Sequence, residues 1–271
     1  MGGAIENITS SFGVERVGDI TWAHRANNRG ILKKYARSPE VMMVEGDVLY
    51  SPVLSRSSGL ETGGAVMAHD YDQKIDLTFE EWLKIILEVG KGAKVDFKRV
   101  KSGVREAATA AAEFCLGVLE RVWDPRVPLV LNADVYLGPN GEDSSFAPLD
   151  PREFVRQCDE YRRHCNPNVL LSLGWVTAYS KSGEYTDEMI TAMLAAVVGP
   201  ATFPIRACFI RDSWGQIQRL LDDPQHTLTI WNNESVSDEL CEWLREETDP
   251  GRTFYDIVDP TNLSPIRLWE N

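Results

Sequence analysis

The stretch MMVEGDVLY, Met42–Tyr50, reads as a buried strand for most of its length, yet Glu45 and Asp47 stand two residues apart inside it. Side chains alternate across a strand, so the two carboxylates share one face while Val44, Gly46 and Val48 share the other. Burying an ionised carboxylate without a partner costs several kcal/mol. That face therefore calls for cations, hydrogen-bond donors or a metal, and where this strand sits among its neighbours decides the fold.

Working outward, short apolar runs alternate with amphipathic helical patterns along the whole chain. The strand candidates are Asp19–His24, Val41–Val48, Ala65–His69, Ala93–Lys98, Pro128–Val135, Asn168–Trp175, Phe203–Ile210 and His226–Asn232. Helices are predicted over Arg29–Arg37, Thr78–Val89, Val104–Val122, Pro151–His164, Thr186–Val198, Trp214–Leu221 and Val236–Glu247, several opened by capping residues such as Thr78, Asp150 and Thr186. Such alternation implies parallel pairing, and eight units are the size of one α/β (β/α)₈ TIM barrel, with residues 1–271 forming a single domain. An open doubly wound sheet is the rival, but no Gly-rich phosphate loop follows the first strand, which continues AHRANNRG. The polar, Ser/Gly-rich run from Leu49 to Gly64 predicts a helix-free connection between the second and third strands.

The polar residues collect at the C-terminal ends of these strands. His24 closes the first, Glu45 and Asp47 the second, His69 the third, Asp96 and Lys98 the fourth, Asn132 and Asp134 the fifth, Trp175 the sixth, and Trp231 with Asn232 the eighth. In a barrel those ends converge on one mouth, where such enzymes place their chemistry. A strand-end histidine is also a common structural hydrogen-bonding residue, and Asp96-x-Lys98 also reads as an internal ion pair. The conjunction favours a site, since two of the four histidines end strands beside the acidic pair. The segments Ser51–Gly64 and Leu137–Leu149 follow strands on the same side and are candidate lids.

Composition narrows the functions. The chain has 271 residues, 43% hydrophobic and 25% charged, with a net charge of −13. That balance excludes the basic stripe a nucleic-acid partner requires. No run reaches the roughly 18 to 20 apolar residues of a transmembrane segment. No signal peptide is visible at the N-terminus, and the five cysteines lack metal-ligand spacing, which predicts reduced thiols and a cytoplasmic setting, or a secreted one if the N-terminus was processed.

In order and spacing, His24-Arg25, Glu45-x-Asp47, His69-Asp70 and Asp96-x-Lys98 resemble the glycerophosphodiester phosphodiesterase and sphingomyelinase D group of the phospholipase C-like phosphodiesterase barrels. Over nearly the full length, TWAHRANN, MMVEGDV, VMAHD, LTFEEWL, KVDFK, LNADVYLGPN and LSLGW more closely resemble the menorin-like family, which implies the same barrel. The resemblance implies Glu45, Asp47 and Asp96 as ligands of one Mg²⁺ or Ca²⁺ ion, with His24 and His69 as general acid and base. It places Lys98 and Arg25 on the non-bridging oxygens. Asn132, Asp134, Trp175, Trp231 and Asn232 then line the substrate pocket, with Asp134 open to a structural ion-pair role.

The function this implies is a metal-dependent phosphodiesterase, a phospholipase-like hydrolase of a small-molecule or lipid phosphodiester. The alternative is a catalytically idle barrel that binds a lipid or protein partner. An amide-type metal hydrolase would want H-x-H on the first strand, where Trp22-Ala23-His24 stands. One departure bears on substrate: the phosphodiesterases follow their first His-Arg with Gly and a P-E-N-T-like acidic stretch, whereas this chain runs Ala26-Asn27-Asn28.

Overall fold

The computed structural model describes residues 3–51, 64–70, 75–99, 107–180, 182–262 and 264–269. In chain order the elements are α1 (Ala4–Phe12), β1 (Trp22–Ala23), α2 (Arg29–Arg37), β2 (Met43–Ser51), β3 (Gly64–Met67), α3 (Phe79–Glu88), β4 (Gly92–Phe97), α4 (Ala107–Val122) and β5 (Leu129–Leu137). They continue with α5 (Pro151–His164), β6 (Leu170–Val176), α6 (Asp187–Ala196), β7 (Ala201–Arg206), α7 (Trp214–Ile217), β8 (Thr227–Trp231), α8 (Asp238–Glu247) and β9 (Thr253–Asp256). The predicted caps form: Thr78, Asp150 and Thr186 each accept a backbone N–H of the first turn, as do Asn28 and Ser237, and Thr78 with Glu81 makes a reciprocal capping box.

Strands β1, β2, β4, β5, β6, β7, β8 and β9 lie side by side in that order, all parallel, as a nearly closed eight-stranded barrel alternating with helices. Three of its parts differ from the sequence expectation. The third predicted strand is not a stave: β3 folds back antiparallel on β2, pairing Val48 with Met67 and Ser51 with Gly64. The missing stave is β9, a four-residue strand too short to show a period. The predicted seventh strand ends early, because the chain turns into a 3₁₀ segment over Ala207–Phe209. Residues 52–63, which carry the expected helix-free connection and lid, and 101–106, which carry the expected start of α4, lie outside the described residues.

Strand alternation sorts the side chains into two environments. One parity packs outward against the helices, giving the main core of Val44, Val48, Val95, Leu131, Leu171, Leu173, Ile205 and Ile230. The other parity begins with an apolar floor of Trp22, Met43, Val130, Leu170 and Phe254, sealed by Ala4 and Ile8 of α1, a helix the sequence reading passed over. Trp22 and Phe254 meet edge to face across the seam, with ring centroids 5.7 Å apart. Above this floor the same parity carries Glu45, Asp47, Lys94, Asp96, Asn132, Ser172, Thr202, Thr229 and Asp256, all buried. The upper barrel interior is therefore polar, and its groups must satisfy one another.

Candidate active site

The polar interior opens at the C-terminal ends of the strands into a cavity of about 290 Å³. Its lining includes His24, Arg25, Glu45, Asp47, His69 and Asp96. It also includes Lys98, Asn132, Asp134 and Trp231, so ten of the twelve predicted site residues share one space. Trp175 and Asn232 do not line it. Both have the outward parity of their strands: Trp175 packs on Tyr185 in the main core, and Asn232 is spent on the backbone, donating to Val258 O and accepting from Val258 N–H.

Register puts the acidic groups side by side. Glu45 stands opposite Lys94, and Asp47 opposite Asp96. Asp96 is opposite Asn132, and Asn132 opposite Ser172. Along this row Ser172 Oγ donates to Asn132 Oδ1 (2.6 Å), and Asn132 Nδ2 donates to Asp96 Oδ1 (2.7 Å). Asn27 grips Asp47 from both sides, its Nδ2 donating to Oδ2 (2.6 Å) and its Oδ1 accepting the Asp47 N–H (2.8 Å). Glu45 Oε2 accepts the N–H of Arg25 (2.6 Å). Arg25 has φ 54°, a left-handed conformation that costs a non-glycine residue on the order of 1 kcal/mol or more and tends to persist at functional sites. Asp134 has room only because its β6 neighbour is Gly174, where a Cβ would lie 2.5 Å from Asp134 Oδ1.

Oxygens of Glu45, Asp47 and Asp96 all lie within 4.8 Å of one another, the one group of this kind among the described residues. Burial, reinforced by the charge of Asp47, pushes Glu45 up to about 7. Burial also pushes Asp134 up, to about 6. Asp47 is held low: burial opposes its charge, but Lys98, His69 and the Asn27 hydrogen bond outweigh that. Lys98 Nζ is 2.5 Å from Asp96 Oδ2 and 3.3 Å from Asp47 Oδ1, so one cation already serves two of the three carboxylates. Three hard oxygen donors around a partly uncompensated charge suit a divalent cation, which bears on Glu45 most.

The two histidines differ in environment. His24 Nδ1 lies 3.2 Å from both carboxylate oxygens of Asp256, which is fully buried and also 3.3 Å from Lys94 Nζ. Burial disfavours the His24 charge, yet Asp256 and Glu45 more than offset this and raise it above its ordinary value. Asp256 itself is held at about 2, since the charges of His24 and Lys94 overcome the cost of burying it. His69 is carried over the mouth by the β3 fold-back, where the Ala68 N–H donates to Asp47 O, and its ring meets Phe146 edge to face at 4.7 Å. Burial, with Lys98 and Arg25, sets His69 below its ordinary value despite Asp47.

Sequence reading missed Lys94, Asp256, Arg206 and Phe146. The first was readable, because Lys94, Asp96 and Lys98 share a parity; Arg206 ends a strand whose limits were misjudged, Asp256 ends β9, which was not predicted, and Phe146 arrives from the β5–α5 loop. Arg206 donates to Glu234 through Nε (3.3 Å) and Nη2 (2.8 Å) and lies against the rings of Tyr179 and Trp231.

Fold and mouth together define a TIM barrel whose mouth gathers buried carboxylates and two histidines. A family model described as the Menorin N-terminal domain matches residues 17–262, and the chain belongs to that family. Human protein FAM151B is 32% identical over 265 residues, covering 94% of this chain and 87% of its own. Among solved structures, a candidate glycerophosphoryl diester phosphodiesterase from Silicibacter pomeroyi superposes with TM-score 0.50 at 9% identity, over 92% of this chain and 88% of that one. The catalytic domain of a Bacillus sp. JAMB-750 endo-β-1,4-mannanase gives TM-score 0.53 at 8% identity, over 98% and 83%. Likeness at these identities shows the barrel alone. No helix among the described residues is long and apolar enough to cross a membrane.

Proposed function

We propose that the protein is a metal-dependent phosphodiester hydrolase acting on a small or lipid phosphodiester. The observation that carries this reading is the meeting of Glu45, Asp47 and Asp96 with two histidines of opposite protonation tendency in one cavity. Glu45, Asp47 and Asp96 would hold Mg²⁺ or Ca²⁺, and Lys98 would remain beside Asp96. When bound, the ion supplies Lewis-acid polarisation of a phosphoryl oxygen.

The chain's own groups do the rest. His24, kept protonated by Asp256, gives its Nε2 proton to the leaving oxygen, while Asp256 fixes the ring by accepting from Nδ1–H. His69, kept neutral, takes the proton of the attacking water or hydroxyl. Groups whose environments push them apart in this way divide acid and base roles between them. Lys98 and Arg25 bind the non-bridging oxygens.

The test is hydrolysis of a panel of phosphodiesters, beginning with bis(p-nitrophenyl) phosphate, with Mg²⁺, Ca²⁺ or chelator, for the wild type, His24→Asn and His69→Asn. Metal-dependent turnover that falls by about 10²-fold or more in each variant is expected. Turnover indifferent to chelator would overturn the reading. One observation favours a second reading, a barrel that binds a lipid or protein partner without metal: Lys98 already bridges two of the three carboxylates. Calorimetric titration with Mg²⁺ and Ca²⁺ separates the two, because only the first requires uptake.

A further inference from the structure

The mouth is polarised. Its carboxylates stand on β2, β4 and β5, whereas the arc across from them, at the ends of β6, β7, β8 and β1, carries Tyr179, Arg206, Trp231 and Arg25. The loop after β8 ties this arc together, since Asn233 Oδ1 accepts from Arg25 Nη2 (3.2 Å) and the next residue, Glu234, accepts from Arg206. A half-exposed Tyr179, Trp231 and a carboxylate are the chemistry of a cage for a quaternary ammonium. Here the cage is filled by the protein's own cation: the Arg206 guanidinium carbon sits 5.7 Å from the Tyr179 ring centre and 5.2 Å from that of Trp231, and its charge is matched by Glu234.

We propose that this arc is the alcohol subsite of the phosphodiesterase reading above, on which it rests, and that Arg206 selects a hydroxyl-rich alcohol against a quaternary ammonium. A phosphate held on the acidic side turns one of its two substituents toward the arc. Arg206 gives Nε and Nη2 to Glu234 and Nη1 to Thr177 Oγ1 (3.5 Å), which leaves a second N–H on each Nη, so the guanidinium groups of the arc have donors and no acceptor and suit hydroxyl oxygens. A trimethylammonium group has no proton to share, meets the charge of Arg25, and finds the two ring faces and Glu234 already engaged by Arg206. The specificity is a built-in repulsion as much as an attraction.

Two measurements read the subsite, one with turnover and one without. In the wild type with Mg²⁺, kcat/KM for glycerophosphoinositol should exceed that for glycerophosphocholine at least about tenfold. Saturation-transfer NMR with tetramethylammonium chloride should show no contact. In Arg206→Gln, which opens Glu234 and the two rings, transfer to tetramethylammonium should emerge and the substrate ratio should fall toward one. Adding Trp231→Ala should abolish the transfer again. Transfer to the wild type, or none to a folded Arg206→Gln, overturns the proposal even when both diesters are cleaved. If Arg206→Gln does not fold, the wild-type ratio decides: equal cleavage of the two diesters overturns it. A protein that cleaves neither diester yet gains tetramethylammonium binding in Arg206→Gln keeps the subsite and loses the hydrolase.

Discussion

His24 and Asp256, separated by almost the whole chain, face each other across the barrel seam with Nδ1 3.2 Å from either carboxylate oxygen. No β9–β1 ladder is present among the described residues, so this pair and the Trp22–Phe254 contact below it span the gap. Asp256→Asn removes the charge that both His24 and Lys94 face. We expect a stability loss of about 3 kcal/mol, because buried Lys94 loses its ion-pair partner and keeps only the more distant charges of Glu45 and Asp96. The His24 titration, followed by NMR, should move down. A change in stability with an unmoved His24 would show that the pair is mechanical only.

Asp47→Asn separates metal site from ion pair. Lys98 keeps Asp96 in the variant, and Glu45 is relieved of its neighbour's charge, so the two effects oppose each other. Thermal melts in chelator should therefore differ from wild type by less than about 1 kcal/mol. In saturating Mg²⁺ or Ca²⁺ the wild type should gain stability and the variant should gain little. A loss near 3 kcal/mol in both conditions would identify Asp47 chiefly as the partner of Lys98.

Stability should also depend on pH in a way that metal removes. Glu45 holds its proton up to about 7 in the folded protein, against 4.5 when unfolded. The folded state thus binds the proton more tightly, and stability falls as pH rises from the unfolded value through the folded one, by ~3 kcal/mol in all. Asp134, at about 6, and His24, raised above its ordinary value, act with the same sign, and His69, held below its ordinary value, offsets them only in part. Denaturant titrations in chelator should show the decline between roughly pH 5 and 8, and a saturating divalent ion should flatten it. A metal-free protein whose stability rises through neutrality would contradict this.

Gly46 stands between the two carboxylates with outward parity. A Cβ there would lie 2.6 Å from Met67 Cε and 2.9 Å from the Trp82 ring. Met67 can give way, but Trp82 is fully buried and its Nε1 donates to Ala26 O. Gly46→Ala should cost ~1–3 kcal/mol by overpacking and lower metal affinity by moving Glu45 and Asp47 together. Urea melts and metal titration of the same variant check both.

The barrel and most of its mouth were legible because both follow from strand alternation: a period of two fixes which residues share a face, and parallel order puts strand ends on one rim. Legibility failed where the period is too short to see. β9 offers four residues, and with it went Asp256. The direction of β3 was not readable either, since an apolar run does not say whether the chain doubles back, and the position of His69 depends on that reversal. Trp175 and Asn232 were misplaced for the opposite reason. Their strands were found, but parity, which excludes both, was not applied to them as it was to Glu45 and Asp47.

The seam has a consequence for the order in which the protein becomes competent during synthesis. The carboxylate donors come from neighbouring strands near the start of the chain, so they can gather early. His24, made earlier still, has no carboxylate for Nδ1 until Asp256, 232 residues further on, has been synthesised. A nascent or truncated chain that ends before β9 therefore has its corner of carboxylates but not the Asp256 that orients His24, so under the proposed mechanism the proton donor is set only once β9 has joined β8.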